Sequence, residues 1–442
     1  MIRSTYKDIL SIATPVIVGG VAMTILNITD TAFLGRVGET ELGASAVGGV
    51  LYFAFAMIGV SIGIGAQIMI ARRTGENNDK AIGDIFDHSL AILFSLSVVL
   101  FAILNWASPY ILKLILNSND LVIATSEFLK YRSYGLVFVM VATVFRSFYV
   151  GIARPRIIAV YSFLMAAINI IFCYVLIFGH WGFPAMGIGG AGLASSIAEL
   201  LSLIFIFLYT YYRSAIQKYY LFRFEKIKMI MIRKIMDLSL PLVIQNLLSM
   251  GSWFIFFVFI EKIGKHELAI SNIVRAAYMI SMTPIWGLSI AANSMVSNII
   301  GQDKKHEVFE LLNKILKLTF LTASVMIVIN LLIPHAILRL FTNDMNLIEN
   351  SMGSFYVVDL AMLFFSFAIV TISALSGTGA TKVALNIEVA AIALYLVYNY
   401  IVTFIIHGTV EMLWLSEIIY WSFTGIASYM YIRSGRWEKI TV

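Results

Sequence analysis

A single cysteine, Cys173, in 442 residues leaves no disulfide framework and no metal site built on paired thiolates. Charge is equally scarce. Asp, Glu, Lys and Arg make up 13% of the chain against 60% hydrophobic residues, with a mean hydropathy of +0.89, and that balance excludes an ordinary water-soluble domain. No nucleophile elbow, P-loop or paired-carboxylate motif occurs, so neither ATP hydrolysis nor catalysis inside the membrane has support, and no enzyme is expected. The six histidines fall near the ends of apolar runs or in loops, which argues against a histidine metal site. Net charge is +6, but the basic residues are scattered over short loops with no aromatic RNA-binding motif among them, so nucleic acid is not an expected partner.

Long apolar runs fill the space these absences leave. They recur at about 9–34, 44–70, 85–108, 127–150, 157–178, 190–212, 236–261, 269–300, 311–333, 354–376, 384–406 and 411–432. Each is long enough to cross a hydrocarbon core roughly 30 Å thick. The expectation is an all-α polytopic membrane protein with twelve transmembrane helices and no large domain between them. The first run is too long for a signal-peptide core and has no clean cleavage site, so it is expected to remain as the first helix. With both termini placed in the cytoplasm, 22 Lys and Arg residues fall in inside segments, Lys226 among them, and 7 outside, including Lys130 and Arg132. The positive-inside rule fixes that orientation in a cell membrane.

Laying residue n against n+226 reveals an internal repeat. Pro15 meets Pro241, Gly38 meets Gly264, Glu41 meets Glu267, Tyr52 meets Tyr278, Ala66 meets Ala292 and Gly75 meets Gly301. Six crossings per half is an even number, so the halves are expected to be parallel repeats: six-helix bundles at 1–212 and 236–442 with a basic cytoplasmic linker at 213–235. Two such bundles suggest alternating access, one rocking against the other around a site between them.

Within the first run, from Ile9 to Leu34, Asp30 is the only charged residue, and Asn27 precedes it by three positions on one helical face. A carboxylate inside a bilayer span costs roughly 2.5 to 3.5 kcal/mol on insertion scales and by default marks an ion or proton site. Its repeat mate is Phe256, which makes the first half the expected ion-handling half. The second half offers Trp253 and Phe256 to an aromatic or cationic ligand, and Gln67, Gln245 and Asn293 are further candidates for a substrate cleft. Arg146 and Arg275 lie inside spans and need partners, structural or on a substrate path; Glu199 and Glu388 are candidates for that pairing.

Across nearly its whole length the chain resembles the multidrug and toxic compound extrusion family of secondary transporters. The resemblance rests on Pro15 followed by Asp30-Thr31 and Gly35-Arg36-Val37-Gly38, on Gly63-Ile64-Gly65-Ala66-Gln67 with Ala71-Arg72-Arg73-Thr74-Gly75, and on Asn169-Ile170 with Phe178 to Pro184 leading into Gly187, Gly190 and Ala191-Gly192. It implies an ion-coupled antiporter that exports small organic, often cationic or aromatic compounds, in exchange for protons or sodium. By the same resemblance Asp30 is the coupling acid, Asn169 its polar neighbour on the fifth helix, and Ser195 a family hydroxyl position; Asn27 is added from helical spacing alone. No cofactor is implied beyond the transported proton or a sodium ion at Asp30, and the expected form is a monomer in the lipid bilayer. Two departures stand out. Where many members place an acid or amide four residues after Asn169, this chain has Cys173, and where some carry a glutamate eight residues after the seventh-helix proline it has Ser249, so a second-half ion site is not expected. A flippase for a lipid-linked precursor predicts a broadly cationic cavity, for which only Arg146 and Arg275 are available. A non-transporting membrane receptor needs no buried acid and usually brings an extramembrane domain.

Overall fold

Apolar residues with few helix breakers leave each span only one way to satisfy its backbone in lipid, the α-helix. The computed structural model describes residues 3–213, 215–225 and 228–440; Ser214, Lys226 and Ile227, in the expected linker, lie outside the described residues, as do the two residues at each end. The helices are α1 (Tyr6–Val37), α2 (Glu39–Gly75), α3 (Asp79–Trp106), α4 (Ser108–Ile115), α5 (Asn119–Gly151), α6 (Arg156–Phe178), α7 (Gly187–Tyr212), α8 (Ala215–Tyr219), α9 (Met229–Ile263), α10 (Lys265–Gly301), α11 (Val308–Leu332), α12 (Pro334–Leu338), α13 (Met345–Gly377), α14 (Thr381–Tyr400), which continues as a π-helix over Ile401–Ile406, and α15 (Val410–Arg433). No strand occurs among the described residues. Eleven of these helices are long and apolar enough to cross a membrane. The twelfth expected span is α15, which carries Glu411 and Glu417 and is not among the eleven.

Several elements recur at the offset found in the sequence. Helix α2 starts and ends 226 residues before α10, and α5 stands in the same relation to α13. Gly38 and Gly264 break α1 from α2 and α9 from α10 with nearly the same extended backbone, φ 172° and 175°. The short α4 and α12 each begin at a proline in their first turn, where its missing N–H costs nothing.

The chain forms two compact units, and they part inside helices rather than in loops. Unit A is Val18–Val243; unit B comprises the described residues of Met1–Ile17 and Ile244–Val442. Both cuts fall two residues beyond a helix proline, Pro15 in α1 and Pro241 in α9. This differs from the expected boundaries at 212 and 236 for a physical reason: the start of α1 bonds within unit B, where Lys314 Nζ donates to the Ser4 carbonyl at 2.8 Å and the Ser4 hydroxyl to Glu307 at 2.9 Å. The linker in turn packs into unit A. Asp87 of α3 accepts the backbone N–H groups of Phe222 at 2.7 Å and Phe224 at 2.9 Å. His88 Nε2 accepts the Lys228 N–H at 2.9 Å, while the Phe222 ring packs edge-on against Phe86 at 5.3 Å.

Unit A is drawn tight by small residues. A Cβ on Gly192 of α7 would sit 2.6 Å from the Phe128 carbonyl of α5, and one on Gly190 would sit 2.6 Å from the Leu176 carbonyl of α6. Only glycine allows these backbones so close, and the approach brings one face of α7 against both neighbours. The core of unit B is aromatic, with Phe256, Tyr278, Phe365, Tyr395 and Trp414 fully or almost fully buried.

Candidate functional site

The close contact of α6 and α7 sets up a polar seam inside unit A. Asp30, half-buried on α1, accepts from the Cys173 thiol of α6 at 3.3 Å; the same sulfur lies 3.8 Å from the Asn169 side-chain oxygen one turn earlier. Asn169 donates from Nδ2 to the Ser195 hydroxyl of α7 at 3.1 Å, and Ser195 donates to the Ala191 carbonyl at 3.1 Å. Three helices therefore meet through Asp30, Cys173, Asn169 and Ser195. No basic side chain forms an ion pair with Asp30 among the described residues. The thiol is a weak donor, so the Asp30 carboxylate stays able to take a proton or a cation.

Asn27 does not join the seam. It is exposed, and the Thr31 hydroxyl donates to its carbonyl at 2.9 Å. A three-residue step turns the helix by about 300°, enough to leave Asn27 on the open flank while Asp30 leans inward. Thr24 and Thr29 likewise spend their hydroxyls on the carbonyls four residues back.

A second polar group in unit A involves a residue that the sequence places only among the outside basic residues. Arg132 lies in α5 and forks onto Glu199 of α7 with Nη1 to Oε2 and Nη2 to Oε1 both 2.7 Å. The Tyr52 hydroxyl donates to the same carboxylate at 3.2 Å, and the Tyr52 ring lies 3.6 Å beneath the guanidinium. The expected pairing of Glu199 with Arg146 is absent because Arg146 stands fourteen residues further along α5, roughly 21 Å away by helical rise, and is exposed.

In unit B the expected partners also differ. Arg275 stacks 5.0 Å over the Phe257 ring, while Glu388 receives hydrogen bonds from Ser249 and Tyr420. Ser249, which replaces an acid in the resemblance, thus meets an acid from α14. Trp253 donates to Glu417 at 3.2 Å, as do Trp421 at 2.8 Å and Tyr395 at 3.3 Å. Asn330 donates to Asp359 at 2.6 Å. Asp359 and Glu417 are 2% exposed, and no cation pairs with them or with Glu388 among the described residues. Sequence reasoning passed over Asp359 and Glu417, although each is an acid inside an apolar run, the signal that marked Asp30. Of the proposed cleft residues, Phe256 is wholly buried against Trp414 at 5.0 Å and belongs to the core, since an aromatic helix face finds its burial there. Asn293 donates to the Ser373 carbonyl at 3.1 Å and fastens α10 to α13. Gln67 is buried in α2, and the Gln245 side-chain oxygen is buried without a hydrogen bond.

One family model, MatE, matches the chain twice, over residues 15–175 and again over 241–401. The chain belongs to the MatE family. Its two matched windows stand 226 residues apart at both ends, the offset seen in the sequence and in the helices. This multidrug and toxic compound extrusion (MATE) family transporter is 23% identical to the probable multidrug resistance protein NorM of Thermotoga maritima, over 99% of this chain and 94% of that protein. Two solved structures share its fold at a TM-score of 0.90 and 17% identity, each over 98% of this chain and 97% of the other. One is described as the outward-facing conformation of a multidrug resistance MATE family transporter of the MOP superfamily. The other is a MOP superfamily transporter from Pyrococcus furiosus, whose binding pocket of reversed polarity is described as suggesting a different function. At that identity the likeness is to the fold alone. The chain is thus an integral membrane protein and a transporter.

Proposed function

We propose that this MATE transporter is an antiporter that exports small organic, often cationic or aromatic compounds by alternating access between two related six-helix bundles, and that the entry of an ion at Asp30 drives the export. The observation that carries this reading is an acid inside a membrane span, tied to α6 and α7 through Cys173, Asn169 and Ser195 and with no ion-pair partner among the described residues. A ligand shifts a conformational equilibrium only by its differential affinity for the two states, and a seam joining three helices is a site whose geometry changes when those helices move. Family membership and the NorM relative support the class of substrate; the charge asymmetry of the loops supports a protein with both termini in the cytoplasm of a cell membrane, acting as a monomer.

The ion is a proton rather than sodium. Sodium, a hard cation, calls for several oxygen ligands, and Cys173 supplies sulfur where an oxygen would serve; a proton needs only the carboxyl. Purified protein in liposomes, loaded with a fluorescent organic cation, separates the two when proton and sodium gradients are imposed one at a time. The expected result is efflux with the proton gradient alone, and a gain of sodium response in Cys173→Asn, which adds an oxygen to the seam. Sodium-driven efflux that persists with the proton gradient collapsed overturns the assignment of the ion.

A further inference from the structure

The ion-pair partner of Arg132 sits one helical turn from the seam. Ser195 and Glu199 are four residues apart on α7 and so share a face, and Ser196 between them binds α7 to α5 beside Arg132, donating to the Tyr131 carbonyl at 2.8 Å and accepting the Gly135 N–H at 3.0 Å. A side chain at Gly135 would collide with both Glu199 and Arg132, so the chain keeps open the space that the pair fills. The pair is largely enclosed, with side-chain exposures of 14% and 7%. The groups that face Glu199 are Arg132 of α5 and Tyr52 of α2, and Asp30 meets Cys173, which in turn lies beside Asn169.

Held by Glu199 one turn from Ser195, Arg132 brings a cation close to the seam that contains Asp30, and inside a membrane protein such a charge is screened far less than in water. Without a counter-charge of its own it would compete with the transported ion for the negative charge of Asp30. We propose that Glu199 is a positioning residue of the ion site: by holding both arms of the Arg132 guanidinium it cancels that charge locally, and the negative charge of Asp30 is left for the transported ion. This rests on the reading of Asp30 as the coupling acid. Fork-to-fork geometry suits the task, because a bidentate pair fixes the guanidinium's direction as well as its distance, and the Tyr52 ring closes the face of the guanidinium that the carboxylate does not reach. A buried pair kept only for stability has no such dependence on charge balance, since apolar residues of similar volume often replace one without loss.

The test compares two rates in liposomes, using ethidium as the probe: efflux driven by an imposed ion gradient, and ethidium exchange across the membrane with no gradient. Glu199→Gln releases the Arg132 charge onto Asp30, so driven efflux falls at least about tenfold while exchange persists. The double variant Arg132→Gln with Glu199→Gln removes both charges and restores driven efflux. A pair that only stabilises the fold lowers both rates together in the single variant, and whatever the double variant regains it regains in both rates alike, leaving their ratio unchanged throughout. Unchanged driven efflux in Glu199→Gln, or a double variant as impaired as the single, overturns the proposal. Should Glu199→Gln fail to fold, Glu199→Asp, which keeps the charge but loosens the fork, is read by the same ratio: a fall in driven efflux relative to exchange supports the proposal, and an unchanged ratio overturns it. Asp30→Asn in the same assay separates the two readings, because normal driven efflux there removes the coupling role of Asp30 itself, whereas an inactive Asp30→Asn beside a normal Glu199→Gln removes only the role of Glu199.

Discussion

Asp30→Asn changes one proton-binding group and almost nothing else. The amide matches the carboxyl in size and still accepts from the Cys173 thiol, and removing a charge from a span lowers a penalty of roughly 2.5 to 3.5 kcal/mol. Folding is therefore expected to be unharmed, with thermal stability in detergent equal to or above that of the parent. Gradient-driven efflux, in contrast, is expected to fall to the leak rate, since the amide neither binds a proton nor attracts a cation. Fluorescence titration of purified protein with an organic dye checks the third element: binding is retained if the dye contacts lie elsewhere, and its loss together with efflux would instead make Asp30 a substrate contact. Asp30 could be found from sequence because nothing charged surrounds it for a dozen residues on its N-terminal side. The Arg132–Glu199 pair could not, because 67 residues separate its members and Arg146, on the same helix, competes for the same reading. Which arginine faces inward depends on where α7 docks, and that is set by backbone contacts at Gly190 and Gly192 rather than by any pattern in α5.

At the scale of elements, the segment read as a loose basic linker is fastened to α3. Tyr220, Phe222 and Phe224 all have positive φ, between 42° and 58°, a region costly for side chains of this size. Asp87 offsets that cost by accepting two of the segment's backbone N–H groups, with Phe222 sunk among Phe86, Phe145 and Phe207. Asp87→Ala removes the acceptor of both part-buried N–H groups, and at a net contribution of about 0.5 to 1.5 kcal/mol for each hydrogen bond the midpoint of thermal unfolding in detergent should drop by a few degrees. Lys228→Ala should do far less. Its amine meets Asp84 at 2.7 Å and is held above the ordinary lysine range by that hydrogen bond, but the pair is solvent-exposed and such pairs contribute little. Because the lysine value is raised on folding, whatever the pair adds is fully present at neutral pH and is lost only as pH climbs through the raised value. A midpoint that falls equally in both variants would show that the strap is held by its charges and not by Asp87. None of this was legible in sequence, since the bonds to Asp87 span 135 and 137 residues and positive φ in aromatic residues has no compositional sign.

For the whole molecule the repeat was the most legible feature, because one offset recurs at every level: paired residues such as Pro15 and Pro241, the matching ends of α2 and α10, and the two MatE windows. The division into units was less so, since helices continue through the cuts and the hydropathy of a helix does not record which neighbour it packs on. Orientation in the membrane is a whole-molecule property too, and the argument for it rests on the sequence, with 22 basic residues assigned inside against 7 outside. Cys173 is buried, so the parent protein is a natural unlabelled background for single cysteines placed at exposed positions. Lys7→Cys and Glu438→Cys report the two ends, while Asn117→Cys before α5 and Phe183→Cys between α6 and α7 report the opposite side; all four positions are exposed. In intact cells a membrane-impermeant maleimide should label Asn117→Cys and Phe183→Cys, and should reach Lys7→Cys and Glu438→Cys only after the membrane is opened. The reverse pattern would invert the protein and with it the direction in which an ion bound at Asp30 must travel. Labelling of one terminus but not the other would require an odd number of crossings, and since α15 is the expected span that is not among the eleven apolar helices, it is the one that such a result would remove from the membrane.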